Sequence, residues 1–192
     1  MGLFDAFKKK DCDICGKEVG LLGYKKLEDG EICKDCVKLL SPWFDDRRHS
    51  TVAQIKEQLA YREENKKNLA TFRPAKTFGE RSKIYVEYQN GVPSRFAVTR
   101  YNDLMDENAD LIKFTDVICF QTDICEDRDE IKQENSEGQM VSYNPPRYRY
   151  EYDFKVKIQV NHPYFDDINI QLNSSSIELD SKDDYRDRKS VV

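Results

Sequence analysis

Residues 12–36 read Cys12-Asp-Ile-Cys-Gly-Lys-Glu-Val-Gly-Leu-Leu-Gly-Tyr-Lys-Lys-Leu-Glu-Asp-Gly-Glu-Ile-Cys-Lys-Asp-Cys36, with cysteines at 12, 15, 33 and 36. Two residues inside each pair let one backbone turn aim both sulfurs at a point about 2.3 Å away, the length of a thiolate bond to zinc. Seventeen residues separate Cys15 from Cys33, within the spacing that four-cysteine zinc sites use. Gly16 suits a tight turn in which backbone approaches sulfur. Asp29-Gly30 marks a hairpin that brings the chain back to present the second pair. Val37-Lys-Leu-Leu40 before Pro42 reads as one or two helical turns. That places Cys33 and Cys36 at a helix start, as in a treble clef rather than a second zinc-ribbon knuckle, and a helix start favours thiolates. We therefore assign Cys12, Cys15, Cys33 and Cys36 as ligands of one structural zinc ion. Four thiolates fill a tetrahedron and leave no position for water or substrate. Iron takes the same ligands, and the spacing does not separate the two metals.

Composition supports metal ligation over disulfides. The start, Met1 to Lys10, lacks the apolar core and small-residue cleavage site of a secretory signal. A cytoplasmic location follows as the expectation, and disulfides are rare there. No apolar run approaches the roughly 18–20 residues that span a bilayer. Of the 192 residues, 35% are charged, and mean hydropathy is −0.80. Charge is uneven: 8 Lys against 8 acids over residues 1–40, 12 Lys and Arg against 7 acids over 41–100, and 11 against 21 over 101–192. A neutral module beside an acidic half disfavours phosphate-backbone binding.

Outward from the cysteines, the pattern divides the chain into a lead (1–10), the four-cysteine zinc module (11–44), a connecting helix (50–73), an antiparallel β domain (76–180) and a polar tail (181–192). Ser50 or Thr51 caps the helix, Val52, Ile55, Leu59, Leu69 and Phe72 form its apolar stripe, and Arg62 and Lys66 interrupt it. Pro74 ends it. In the β domain Ile84, Val86 and Tyr88 share a face, Asn90-Gly91 marks a turn, and Phe96 and Val98 return inward. Leu111 to Ile124 alternates with a break at Asp116, which predicts a bend or two strands. From Arg147 to Asn161 apolar and polar residues alternate strictly: Tyr148, Tyr150, Tyr152, Phe154, Val156, Ile158 and Val160 against charged and amide side chains. At full extension such a strand spans about 50 Å, so it is expected to bend around a barrel or sandwich, its tyrosines mostly in the core. Residues 126–146 read as a long acidic loop. The fold class is α+β: a small zinc module, a helix, then an antiparallel barrel or sandwich.

Nothing else in the sequence carries chemistry at motif spacing. His49 and His162 read as surface or capping residues. Cys119 and Cys125, six apart in an extended run, stand too far apart for a disulfide and are assigned no metal. With no acid–base pair, phosphate loop or nucleophile motif, an enzyme is not expected.

The stretch from Cys12 to Cys36, through Gly-Leu-Leu and the Asp-Gly before the second pair, resembles an uncharacterised bacterial N-terminal four-cysteine zinc domain family of unknown function. Members continue with a charged helix and a β-rich domain bearing a phrase like Lys113-Phe-Thr-Asp-Val-Ile118. The second half looks like small bacterial pleckstrin-homology-like domains, a likeness that implies a closing C-terminal amphipathic helix. The expected function is a non-enzymatic interaction or adaptor protein with a protein or peptide partner. Two alternatives stand beside it: a nucleic-acid-binding zinc protein, and a peripheral protein that meets lipid through a pleckstrin-like domain.

Overall fold

The computed structural model describes residues 10–20, 23–100 and 103–179. The lead apart from Lys10, and the tail at 181–192, lie outside that range, as does any helix closing the C-terminus. In the N-terminal module β1 (Lys10–Asp11) pairs with β2 (Glu18–Val19), and β3 (Tyr24–Lys26) pairs antiparallel with β4 (Glu31–Cys33). The hairpin closes where Asp29-Gly30 marks it, with Leu27 N–H donating to the Gly30 carbonyl at 2.8 Å. α1 (Lys34–Val37) begins directly after Cys33, three residues earlier than the turn read at 37–40.

A 3-10 turn at Asp46–His49 leads to α2 (Val52–Ala70). Thr51 is its N-cap: its hydroxyl accepts from Gln54 N–H, and the Gln54 side chain accepts from Thr51 N–H. This reciprocal box satisfies two otherwise orphaned donors. The buried face of α2 is Ile55, Gln58, Arg62, Asn65 and Leu69, a helical repeat along one stripe. Arg62 therefore does not interrupt the stripe; it sits at its centre, while Lys66 points to solvent.

The β domain comprises β5 (Lys76–Phe78), β6 (Lys83–Gln89), β7 (Val92–Thr99), α3 (Leu104–Glu107), β8 (Leu111–Lys113), β9 (Val117–Glu134), β10 (Met140–Val160), β11 (Asp167–Gln171) and β12 (Ile177–Leu179). β5 to β8 form one antiparallel sheet in sequence order. In the other, β9 lies along one side of β10, while β11 and β12 share its opposite side. Asn90 and Gly91 make the β6–β7 turn with φ of 52° and 79°, the conformation that Asn-Gly accepts most readily. The facing sheets share one core: Ile84, Val86, Phe96, Val98 and Ile112 meet Phe154, Val156, Ile158, Ile168 and Ile170. On the other side of the first sheet, Ala97 packs with Leu69 of α2 and with Phe72 just beyond its end.

Three expectations are corrected. The domain is not a closed barrel, because the sheets remain separate four-stranded layers. The length of β10 is taken up in a ribbon with β9 that runs past the core, not in a bend around a barrel. Residues 126–146 accordingly are not a loop: β9 continues to Glu134, turns, and β10 returns from Met140, with the register shifting between Ser142 and Arg147. Tyr148 and Tyr150 are half-exposed on this ribbon, and burial begins at Tyr152. Cation–π contacts substitute for a core there, with the Arg128 guanidinium 4.5 Å from the Tyr148 ring centre and Arg147 4.6 Å from that of Tyr143.

The run 111–124 does break at Asp116, into β8, a 3-10 turn (Phe114–Asp116) and β9. Its alternation does not hold, because β9 bulges at residue 118. Val117 pairs with Val160 and Cys119 with Gln159, so Ile118 is the extra residue and is 69% exposed. Among the described residues no helix is long and apolar enough to cross a membrane.

Candidate metal centre

The first loop is closed by its own backbone. Gly16, at φ +72°, donates to the Cys12 carbonyl at 2.7 Å, and Cys12 N–H donates to the Lys17 carbonyl at 3.0 Å. Asp13 attaches this loop to β4: its N–H donates to the Glu31 carbonyl (2.9 Å), and its carboxylate accepts from Glu31 N–H (2.6 Å). Two residues later β4 ends at Cys33, so this clamp carries the first pair to the second. Cys33 is the N-cap of α1, its sulfur accepting from Cys36 N–H at 3.4 Å, while Cys12 Sγ accepts from Cys33 N–H at 3.2 Å.

All four sulfurs lie within 4.8 Å of one another. Cys12 Sγ is 3.9 Å from Cys36 Sγ, and Cys15 Sγ is 3.8 Å from Cys33 Sγ. These separations share no atom, so they are opposite edges of a tetrahedron. A regular tetrahedron with bonds of about 2.3 Å from centre to vertex has edges of about 3.8 Å. The four cysteines are free thiols, not disulfides. Cys12, Cys33 and Cys36 are buried against Leu27, Ile32, Leu40 and Ile55, and Cys15 is exposed.

Electrostatics point the same way. Burial opposes ionisation of Cys12, yet the backbone N–H groups of Cys33, Cys15 and Ile14 outweigh it and bring the thiol down to about 7. Cys36 is pushed far up, by burial first and then by the neighbouring sulfurs of Cys15, Cys33 and Cys12. One sulfur prepared as thiolate and another that resists joining it describe a cluster that ionises fully only around a cation. Soft sulfur donors at tetrahedral spacing fit zinc or iron.

The centre is tied to the rest of the molecule through α2. The Asp29 carboxylate, at the hairpin turn, accepts from Val52 N–H at 2.7 Å. The Arg47 guanidinium donates to the Lys26 carbonyl. Arg62 donates to the Leu39 carbonyl at 3.2 Å, to Asp110 Oδ1 at 2.6 Å and to the Glu107 carbonyl at 3.2 Å. Ser41 completes the junction by donating to Asp110 Oδ2 at 2.7 Å. Asn65 spans the next turn, donating to the Ala109 carbonyl and accepting from Leu111 N–H, both at 2.9 Å.

Of the remaining singled-out residues, His49 is an exposed residue bonded to Asp46 at 2.6 Å, as expected. His162 is half-buried, and its role as a turn-capping residue comes with contacts to α2. It stacks on Phe165 with centroids 3.9 Å apart and meets the Tyr61 hydroxyl of α2 at 2.8 Å. Its Nδ1 accepts from Tyr164 N–H at 3.3 Å, so the neutral ring carries its proton on Nε2. Burial lowers its pKa, and burial raises that of Tyr61 to about 12. Cys119 and Cys125 lie on β9, outside the metal cluster. Arg62, Asp110 and His162 were not legible as a junction. The available signal was an arginine in phase with Ile55 and Leu69.

Residues 10–58 match the family model of a domain of unknown function (DUF4428). The matched segment opens at β1, contains all four cysteines and runs to Gln58 in α2, which extends the resemblance read over the cysteines alone. The structure supplies a reason for that extent: Ile55 belongs to the core of the metal module. The β domain lies beyond the match. No curated protein matches the chain, and no solved structure does.

Proposed function

We propose that this is a non-enzymatic, zinc-binding adaptor, in which a structural four-cysteine site of treble-clef type holds the N-terminal module rigid and the β domain presents a surface to a protein partner. The observation that carries the reading is the pair of opposite sulfur–sulfur separations, 3.9 and 3.8 Å. They match a four-thiolate shell with no vertex left for a substrate. A stub of this size has too little apolar surface to fold unaided, which is why a metal serves it. The junction of Arg62, Asp110 and Ser41 then transmits that rigidity to the β domain.

The test is elemental analysis joined to cobalt substitution. One zinc per chain, lost in Cys36→Ser, supports the reading. A cobalt-loaded protein whose visible spectrum ignores added azide supports a closed shell. Iron in place of zinc, or a spectrum that shifts on azide, contradicts it.

A further inference from the structure

The four sulfurs are not equivalent. Cys12, Cys33 and Cys36 are 2%, 2% and 5% exposed, whereas Cys15 is an exposed residue. Cys12 Sγ accepts from Cys33 N–H, and Cys33 Sγ accepts from Cys36 N–H. Among the described residues no backbone N–H donates to Cys15 Sγ, whose hydrogen-bonding neighbour is the Cys33 sulfur. An N–H donated to a thiolate stabilises its charge and so lowers its nucleophilicity. Cys36 also lacks such a donor, but burial withholds it from solvent. Once all four are thiolates, Cys15 is the one that keeps most of its charge and meets solvent.

A second sulfur stands beside it. Cys33 Sγ lies 3.8 Å from Cys15 Sγ, and a disulfide needs about 2.05 Å, so a short closing movement joins them. The Lys17–Asp35 ion pair, at 2.7 Å with both side chains exposed, ties the loop of Cys15 to α1, which Cys33 caps. Asp35 foremost, and then the sulfurs of Cys33 and Cys15, raise the Lys17 pKa, which sets its ammonium beside this edge of the cluster. An exposed sulfur with a cation next to it is the environment in which reactive cysteines occur. The ammonium also offers a proton to a departing hydroxide.

We propose that Cys15 is an oxidation site and that hydrogen peroxide, by joining Cys15 to Cys33, switches the module from its zinc-bound to its metal-free state. The inference rests on the zinc reading and adds a regulation to that site. The Cys15 thiolate attacks one peroxide oxygen: an S–O bond forms, the O–O bond breaks, hydroxide leaves and a sulfenic acid remains. The Cys33 thiolate then attacks the Cys15 sulfur, forming the S–S bond and expelling a second hydroxide. Each sulfur gives one electron, peroxide takes both, and two protons convert the two hydroxides to water. Cys12 and Cys36 alone remain as thiolate donors, too few for a structural zinc shell. Ile32 and Ile55 pack on these cysteines, so loss of the ion loosens the module as far as Ile55 in α2.

The test treats the full zinc-loaded chain with hydrogen peroxide and follows released zinc with a chromogenic chelator. Zinc is expected to leave about tenfold faster than from the untreated chain. Dimedone, added to trap sulfenic acid, is expected at Cys15 before any other of the four cysteines. Without dimedone, peptide mapping is expected to find a Cys15–Cys33 disulfide, and dithiothreitol with added zinc to restore the loaded chain. Cys15→His keeps four ligands and is expected to slow peroxide-driven release about tenfold. Dimedone first at Cys12, Cys33 or Cys36, or a disulfide between other sulfurs of the cluster, overturns the proposal. So does a zinc-loaded Cys15→His chain that releases its ion as fast as the parent. If that variant fails to hold zinc, the position of the label in the parent chain decides alone. A zinc-loaded chain that keeps its ion under peroxide refutes this inference alone, whereas a chain without zinc before treatment refutes the reading beneath it.

Discussion

The metal centre and the α2 junction are two solutions to one problem, the burial of charge. At residues 12–36 four sulfurs converge, and they can all ionise together only around a cation. At the junction the chain supplies both signs itself: Arg62 and Asp110 lie 2.6 Å apart with side chains 4% and 0% exposed, and Ser41, Leu39 and Glu107 satisfy the remaining polar atoms. The first cluster is one that could hold a metal ion; the second is complete within the chain. Each charge is tolerable only through its partner, so removing a partner is the way to break either.

The largest effect is expected from the metal. Apparent binding energies of structural zinc are about 10–16 kcal/mol in small domains. Chelation, or Cys36→Ser, is expected to abolish amide protection at Ile32 and Cys33 while leaving Val156 and Ile158 protected, since those belong to a separate core. Hydrogen exchange measures this; uniform loss across both regions would erase the proposed division. Next comes Arg62→Met, which strands Asp110 in the interior and is expected to cost about 3–5 kcal/mol in urea unfolding. Adding Asp110→Leu is expected to restore part of that loss. A double variant as unstable as the sum of its parts would mean that the two side chains do not act as a pair.

Smaller effects sharpen the contrast. Thr51→Ala removes the cap where the metal module passes into α2 and is expected to cost about 1 kcal/mol by the same unfolding assay. The smallest effect concerns His162, a titrating contact between α2 and the β domain. Its folded-state pKa is lowered, so below about 6.5 the unfolded chain binds the proton more readily, and stability falls as pH falls. Above that value the contribution is constant. His162→Gln is expected to flatten the part of the stability–pH curve just below 6.5 relative to the parent. Identical slopes would remove His162 from the account.

What was legible from sequence was local. The cysteine pairs, the Asp29-Gly30 hairpin, the Thr51 cap and the Asn90-Gly91 turn each depend on residues a few positions apart, where spacing alone dictates geometry. What was missed is non-local. Arg62 meets Asp110 across 48 positions and Tyr61 meets His162 across 101, so the hydropathy of α2 reported an interruption where the fold has an ion pair. The ribbon was missed for a related reason. Acidic residues at 126–134 read as loop because neither face is buried, and strand pairing with Arg147 to Tyr152 supplies order that composition does not reveal. Phe120 falls in the alternating run 111–124 yet is 56% exposed, because alternation identifies a face but not whether another layer covers it.

X-ray absorption at the zinc edge of natively purified protein tests the central claim most directly. Four sulfur scatterers at about 2.3 Å, with no nitrogen or oxygen in the shell, is the expected result. A shell containing a light atom, or protein that carries no metal at the edge, would contradict it.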